Sequence, residues 1–122
     1  MIHPEEAKIL GKTFSELIKE KESKLKELKD AVNSETTLKL ELLHKNNEVK
    51  LHPEIVKEKY ELSKAPTEKQ IQAYIDEKYS DLVDDYELAK QNTSLIRRDL
   101  DFIDDKISIN KHLLQWRVKL EG

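Results

Sequence analysis

Cysteine is absent from this chain of 122 residues, glycine occurs twice (Gly11, Gly122), proline three times and tryptophan once. Without cysteine there is no disulfide, no thiol chemistry and no thiolate zinc site. So little glycine and proline excludes a sandwich or barrel, which needs a turn every ten residues or so. Neither G-x-x-x-x-G-K-[ST] nor G-x-G-x-x-G is present, so no glycine loop cradles a phosphate. No apolar run approaches the roughly 18 residues of a membrane span. The opening Met1-Ile2-His3-Pro4-Glu5-Glu6 is acidic and polar, unlike a signal peptide. The expectation is a helical protein of the cytoplasm, and this length suits one domain.

Charge is what the chain has in plenty. Charged residues make up 39% and hydrophobic ones 37%, against about a quarter and nearly a half in an ordinary domain. Apolar residues must therefore be gathered on narrow faces. The formal net charge is −3, too small to point to nucleic acid by itself. Its distribution is uneven: residues 76–87 carry six acids against Lys78, and residues 106–122 carry four bases against Glu121. Acids near a helix start and bases near its end complement the macrodipole. Head-to-tail contacts between subunits or a local anionic ligand would use the same asymmetry.

Pro4 followed by Glu5 and Glu6 suits a helix start. Ala7, Leu10, Phe14, Leu17, Ile18, Leu25, Leu28 and Val32 then recur at helical steps, interrupted by Lys21 and Lys24. Such a helix is too long and too thinly apolar to stand alone. Residues 33–52 read two ways. Leu38, Leu40 and Leu42 alternate with charged residues, and His44-Lys45-Asn46-Asn47 has hairpin-turn composition. Alternatively Val32, Thr36, Leu40 and Leu43 continue the helical stripe, and this reading is favoured. Ala65-Pro66 is the clearest break. Thr67 with Gln70 forms a capping box before Ile71, Tyr74 and Ile75. The expectation is one helical domain, residues 1–122. It has a long first helix over about 4–45, a linker over about 46–66 and C-terminal helices over about 67–120, with a short β-hairpin near 37–52 as the alternative.

Residues 81–120 carry the strongest pattern. Leu82, Tyr86, Ala89, Thr93, Ile96, Leu100, Ile103, Ile107, Asn110 and Leu114 alternate steps of four and three. Leu88, Leu95, Phe102, Ile109 and Trp116 recur every seven residues beside them. Together they span roughly 150° of a helix, wider than a two-stranded seam needs. The first helix covers only part of that face, so the rest is expected between subunits of a homo-oligomer. The interface candidates are Leu88, Leu95, Ile96, Leu100, Phe102, Ile103, Ile107, Ile109, Leu113 and Trp116.

No arrangement of reactive residues suggests catalysis. His3, His44, His52 and His112 lack zinc-ligand spacing, and Asp81/Asp84/Asp85 and Asp101/Asp104/Asp105 fall mostly on polar faces. No nucleophile stands beside a base. The expectation is a non-enzyme with no metal, no cofactor and no membrane partner. Single-stranded DNA binding needs cations along a groove and rings for stacking. Two stretches offer that: Lys39, His44, Lys45 and Lys50, and Lys111, His112, Trp116, Arg117 and Lys119. Each is weak alone, but repetition in a closed oligomer would add them at high effective concentration.

Tyr74-Ile75-Asp76, Asp81-Leu82 and the ending from Ile109 to Gly122 resemble the UvsY-like recombination mediators of phages. That family commonly ends in Ile-Lys-Asn-x-Ile-x-Trp-x-x-Phe-x-x-Gly. Trp116 and Gly122 stand at its spacing, and its Phe is not reproduced. Upstream, Thr37 to His44 occupies the place of the family's alternating basic helix. There Lys39 matches one base, Glu41 replaces another, and the Tyr-Tyr-Ser-Gly that follows is missing. The resemblance covers roughly residues 36–122. It implies a non-enzymatic, ring-forming phage protein, cytoplasmic in its bacterial host. Such a protein binds single-stranded DNA, contacts the single-strand-binding protein and helps load a strand-exchange recombinase. The alternative reading is a structural or chaperone-like coiled coil of prefoldin type, or a phage assembly factor, without DNA binding.

Overall fold

Helix-forming Lys, Glu and Leu dominate the first fifty residues, and nothing breaks them until a proline. A computed structural model of the chain describes the backbone of Pro4–Glu121, and side chains from Thr13 to Leu120 except position 117. His3 and Gly122, and the side chains of Glu5, Glu6, Ala7, Leu10, Arg117 and Glu121, lie outside what is described. The fold is all-α: α1 (Pro4–Leu51), α2 (Glu54–Lys59), α3 (Glu68–Lys78) and α4 (Ser80–Glu121). No strand occurs among the described residues.

The alternative of a β-hairpin near residues 37–52 is thereby replaced by helix. Asn33 and Ser34 do not stop α1; Thr37 Oγ1 donates to the Asn33 carbonyl at 2.9 Å from within the helix. His44 Nε2 lies 3.0 Å from the Glu48 carboxylate, an i,i+4 pair that only a helix brings together. The alternation of Leu38, Leu40 and Leu42 is resolved by helical geometry: Leu38 and Leu42 are half-buried and Leu40 is exposed. The expected linker over 46–66 begins later, because α1 runs to Leu51 and ends where Pro53 disfavours further helix at His52.

Two compact units are distinguished by their internal packing, residues 1–30 with 93–122, and residues 31–92. In the first, the early part of α1 pairs with the later part of α4. Lys21 reaches Asp104 at 2.7 Å and Lys24 reaches Asp99 at 3.5 Å, so numbers rise on one helix as they fall on the other. The pair is antiparallel. Leu17 on α1 and Ile96, Leu100 and Ile103 on α4 are buried, as are the polar Thr93 and Asn110. The α4 residues among them belong to the four-three register read from the sequence.

The second unit folds around Val49, Val56, Tyr74 and Ile75, with Tyr60, Ile71 and Tyr79 packed against them. Helix α2 ends in a Schellman motif: Leu62 N–H donates to the Lys57 carbonyl at 2.9 Å and Glu61 N–H to that of Glu58 at 3.3 Å. Glu61 supplies the left-handed residue at φ 53° in place of the usual glycine. Helix α3 opens on the capping box expected from the sequence. Thr67 N–H donates to Gln70 Oε1 at 2.9 Å, and Gln70 N–H donates to Thr67 Oγ1 at 3.3 Å. Tyr79 separates α3 from α4 while its own N–H donates to the Ile75 carbonyl at 2.8 Å.

Candidate nucleic-acid interface

A continuous helix through residue 51 disperses the four candidate DNA contacts of α1. Lys39 and Lys50 are eleven residues apart, which returns them to one face within about 20°. His44 and Lys45 point elsewhere by roughly 120–140° from Lys39. Both lie beside Glu48, His44 at 3.0 Å and Lys45 at 3.8 Å, so the Lys45 charge is offset locally. Lys39 and Lys50 are exposed and make no ion pair among the described residues. Thr37, Leu40, Glu41, His44 and Lys45 border a shallow open depression. Glu41 is thus among the neighbours of His44 and Lys45, and not beside Lys39.

What the fold does gather is Lys45 with a cluster of rings. Its ammonium lies 5.6 Å from the centre of the Tyr79 ring. Lys78 lies 5.6 Å from the same ring and 5.5 Å from that of Tyr74. The Lys78 ammonium also donates to the Tyr74 hydroxyl at 3.2 Å. That hydrogen bond, ahead of the attraction to Tyr74 and Tyr79, holds the Lys78 pKa above its ordinary value. Tyr60 meets Tyr74 edge to face, with centroids 6.5 Å apart. Removal from water is the main cause that raises the Tyr60 pKa, with Glu77 next. Lys59, Tyr74, Glu77 and Lys78 line an open cleft of about 350 Å³.

Cation–π contacts of this kind orient ammonium groups while leaving part of each accessible to an anion. Lys59, Lys78 and Tyr79 were not among the sequence candidates. They come from α2, α3 and the residue before α4, and only the spacing of Tyr74 and Lys78, four residues apart on one helix, hinted at any pairing. Acidic neighbours limit the site: Glu48 pairs with Lys45, and Glu77 lines the cleft.

On α4 the second basic stretch is exposed at Lys111, His112, Trp116 and Lys119. His112, Trp116 and Lys119 share one face, whereas Lys111 lies about 140° from Trp116. Leu114, Gln115, Val118 and Lys119 border an open depression on this segment.

The ten interface candidates separate into two sets. Ile96, Leu100 and Ile103 are buried and Ile107 is half-buried by the chain itself, so their apolar surface is already largely covered. Leu88, Leu95, Phe102, Ile109, Leu113 and Trp116 are exposed, with Phe102 and Trp116 at 63% and 62%. The two stripes of α4 are therefore distinct faces, one covered by the chain itself and one bare. Among the described residues no three His, Asp or Glu side chains converge as metal ligands, and no described helix is long and apolar enough to cross a membrane. The chain matches no protein-family model, no curated protein and no solved structure.

Proposed function

We propose that this chain is a recombination mediator of the UvsY-like kind, a non-enzymatic phage protein of the bacterial cytoplasm that acts as a homo-oligomer. It binds single-stranded DNA weakly at each subunit and helps load a strand-exchange recombinase onto DNA covered by single-strand-binding protein. The observation that carries this reading is the pairing of Lys45 and Lys78 around the Tyr79 ring, which puts two cations beside a half-buried aromatic surface. Lys39 and Lys50, which make no ion pair among the described residues, add a second pair of charges along α1. The likeness of the C-terminal sequence to the mediators supplies the biological context. Few phosphates are neutralised per subunit, so useful affinity comes from several copies on one strand.

Fluorescence anisotropy of a labelled thymidine oligonucleotide across a salt series tests this. Log affinity should fall with log salt by roughly 0.7 for each phosphate neutralised. Replacing Lys39 and Lys45 by Glu should weaken binding and flatten that slope. No binding at about 50 mM salt, where phosphate contacts are strong, would sink the DNA reading.

The bare apolar stripe of α4 favours a second reading, a chaperone-like or structural coiled coil that does not bind DNA. Its signature is suppression of aggregation of an unfolded client by a protein that leaves DNA alone.

A further inference from the structure

The exposed side of α4 is more regular than a surface needs to be. Leu95, Phe102, Ile109 and Trp116 are spaced by seven, and each is more than half exposed, at 55%, 63%, 61% and 62%. On a helix this repeat makes a stripe about 32 Å long that winds by about 20° per heptad. It lies roughly 120° around α4 from the seam of Ile96 and Ile103. Leu113 and Leu120 widen it toward the C-terminus, at 44% and 65% exposed. Three heptads of such apolar spacing are about the length at which a helical seam becomes distinctive. Left in water, a contiguous apolar strip of this kind marks an interaction surface.

The charges beside the stripe name its occupant. Each side of Phe102 carries two adjacent residues of opposite sign: Arg98 with Asp99, and Asp105 with Lys106. In each pair one residue flanks the stripe on its left and the other on its right, by about 50°. Two identical helices facing each other in parallel register therefore bring Arg98 of one beside Asp99 of the other, and Asp105 beside Lys106. Every flank is attractive, and each contact occurs twice. Arg98, Asp105 and Lys106 make no ion pair among the described residues, while Asp99 already takes Lys24 at 3.5 Å. A foreign helix would have to reproduce this sign pattern; a second copy has it automatically.

An antiparallel pair centred on Phe102 would satisfy the charges as well. It would also set Leu88 against Trp116 and Leu95 against Ile109, all exposed, but it would leave Leu113 against Gln91 and Leu120 against Asp84 of the other copy. Parallel register instead meets Leu95, Phe102, Ile109, Leu113, Trp116 and Leu120 each with its own counterpart. We propose that this stripe of α4 packs, parallel and in register, against the same stripe of a second copy of the chain. The inference rests on the self-association in the functional reading and adds to it the surface and the orientation.

A chain without cysteine makes the test direct. Leu95→Cys, Ile109→Cys and Ser108→Cys are prepared singly and oxidised, with Ser108 off the stripe. In parallel register the first two each cross-link to themselves as a dimer, and the third does not. If neither stripe variant cross-links alone but a mixture of the two does, the pair is antiparallel and the proposed orientation is overturned. Sedimentation equilibrium runs alongside. Phe102→Asp puts an unpaired charge in the seam and should raise the dissociation constant about a hundredfold or more, with helix content unchanged. A wild-type assembly indifferent to Phe102→Asp would overturn the stripe while leaving self-association standing. A wild type that sediments at 14.3 kDa would overturn self-association itself. DNA binding is read separately, by the anisotropy series.

Discussion

The two units solve one problem differently. The second unit, residues 31–92, wraps short elements around a small core, and Val56 and Ile75 are almost wholly removed from water. The first unit has only two helix segments, each able to bury one stripe against the other. Two helices leave their remaining faces bare, and on α4 a remaining face is apolar. In the second unit the breaks made by Pro53, Pro66 and Tyr79 allow side chains from three helices to pack around the tyrosines, with Lys78 at their edge. In the first, an unbroken helix gives length and a repeated surface but no enclosure. Enclosure suits a binding cluster, and length suits association.

The sharpest way to break this comparison uses two neighbours on α4. Ile103 is 2% exposed and Phe102 is 63% exposed. Ile103→Ala should cost about 2–5 kcal/mol, because it removes buried methylenes and leaves a cavity. Phe102→Ala should change the stability of an isolated subunit by no more than about 0.5 kcal/mol, as a surface substitution does. Urea titration at a dilution where association is absent checks both. Equal costs would mean that the stripe is already covered within the subunit.

Much of this division was legible in the sequence, and the reasons for the rest are physical. The four-three register of α4 from Thr93 to Asn110 was legible because helix geometry alone decides which residues share a face, but its burial within the chain was not, since Ile96, Leu100 and Ile103 were expected at a subunit interface. The capping box at Thr67 was equally local. Leu38, Leu40 and Leu42 were ambiguous because a period of two over so short a run does not outweigh helix propensity. What holds α1 helical to residue 51 includes burial of Val49 in a cluster with Val56 and Tyr74, a tertiary contact that no local window contains. The Lys45–Tyr79–Lys78 cluster was not legible for the same reason: Lys45 is thirty-three residues before Lys78. Separation of the two α4 stripes required knowing which one α1 occupies.

Smaller effects should sharpen the second unit. Thr67→Ala removes the hydroxyl that accepts from Gln70 N–H and should cost about 1 kcal/mol, within the range for N-caps. Amide exchange should report the loss at the start of α3, while the seam around Ile103 keeps its protection. Glu61→Gly should act in the opposite direction. A side chain at positive φ costs roughly 1–2 kcal/mol, which glycine avoids at some cost in unfolded-chain entropy. A net gain of about 0.5–1 kcal/mol is expected, read as a higher urea midpoint. No gain would mean that the Schellman turn after α2 is held without strain.

The smallest and most diagnostic effect is alkaline. Tyr60, Lys78 and Lys90 in the second unit and Lys24 in the first all have pKa values raised above their ordinary 10.0 or 10.5. A group whose folded pKa is raised holds its proton more tightly in the native state. Its contribution is therefore complete below the unfolded value and is lost as pH rises through the folded one. Stability should be insensitive to these groups between about pH 7 and 9, and should fall above about pH 10. The causes differ between the units. Lys24 owes its shift first to the hydrogen bond with its own-helix neighbour Glu27, an exposed i,i+3 pair worth little to the fold. Tyr60 owes its shift first to partial removal from water where it packs against the core of the second unit, with Glu77 next. Regional amide exchange from pH 9 to 11 is not practical, but tyrosine absorbance and tryptophan fluorescence divide the chain cleanly. All four tyrosines lie in residues 31–92 and the single tryptophan, Trp116, lies in the other unit. The tyrosine signal should change with loss of helix in the wild type, and Tyr60→Phe should move that coupled transition to higher pH. A helix loss that Tyr60→Phe leaves in place would assign the alkaline sensitivity to the lysines instead of to the half-buried Tyr60 ring.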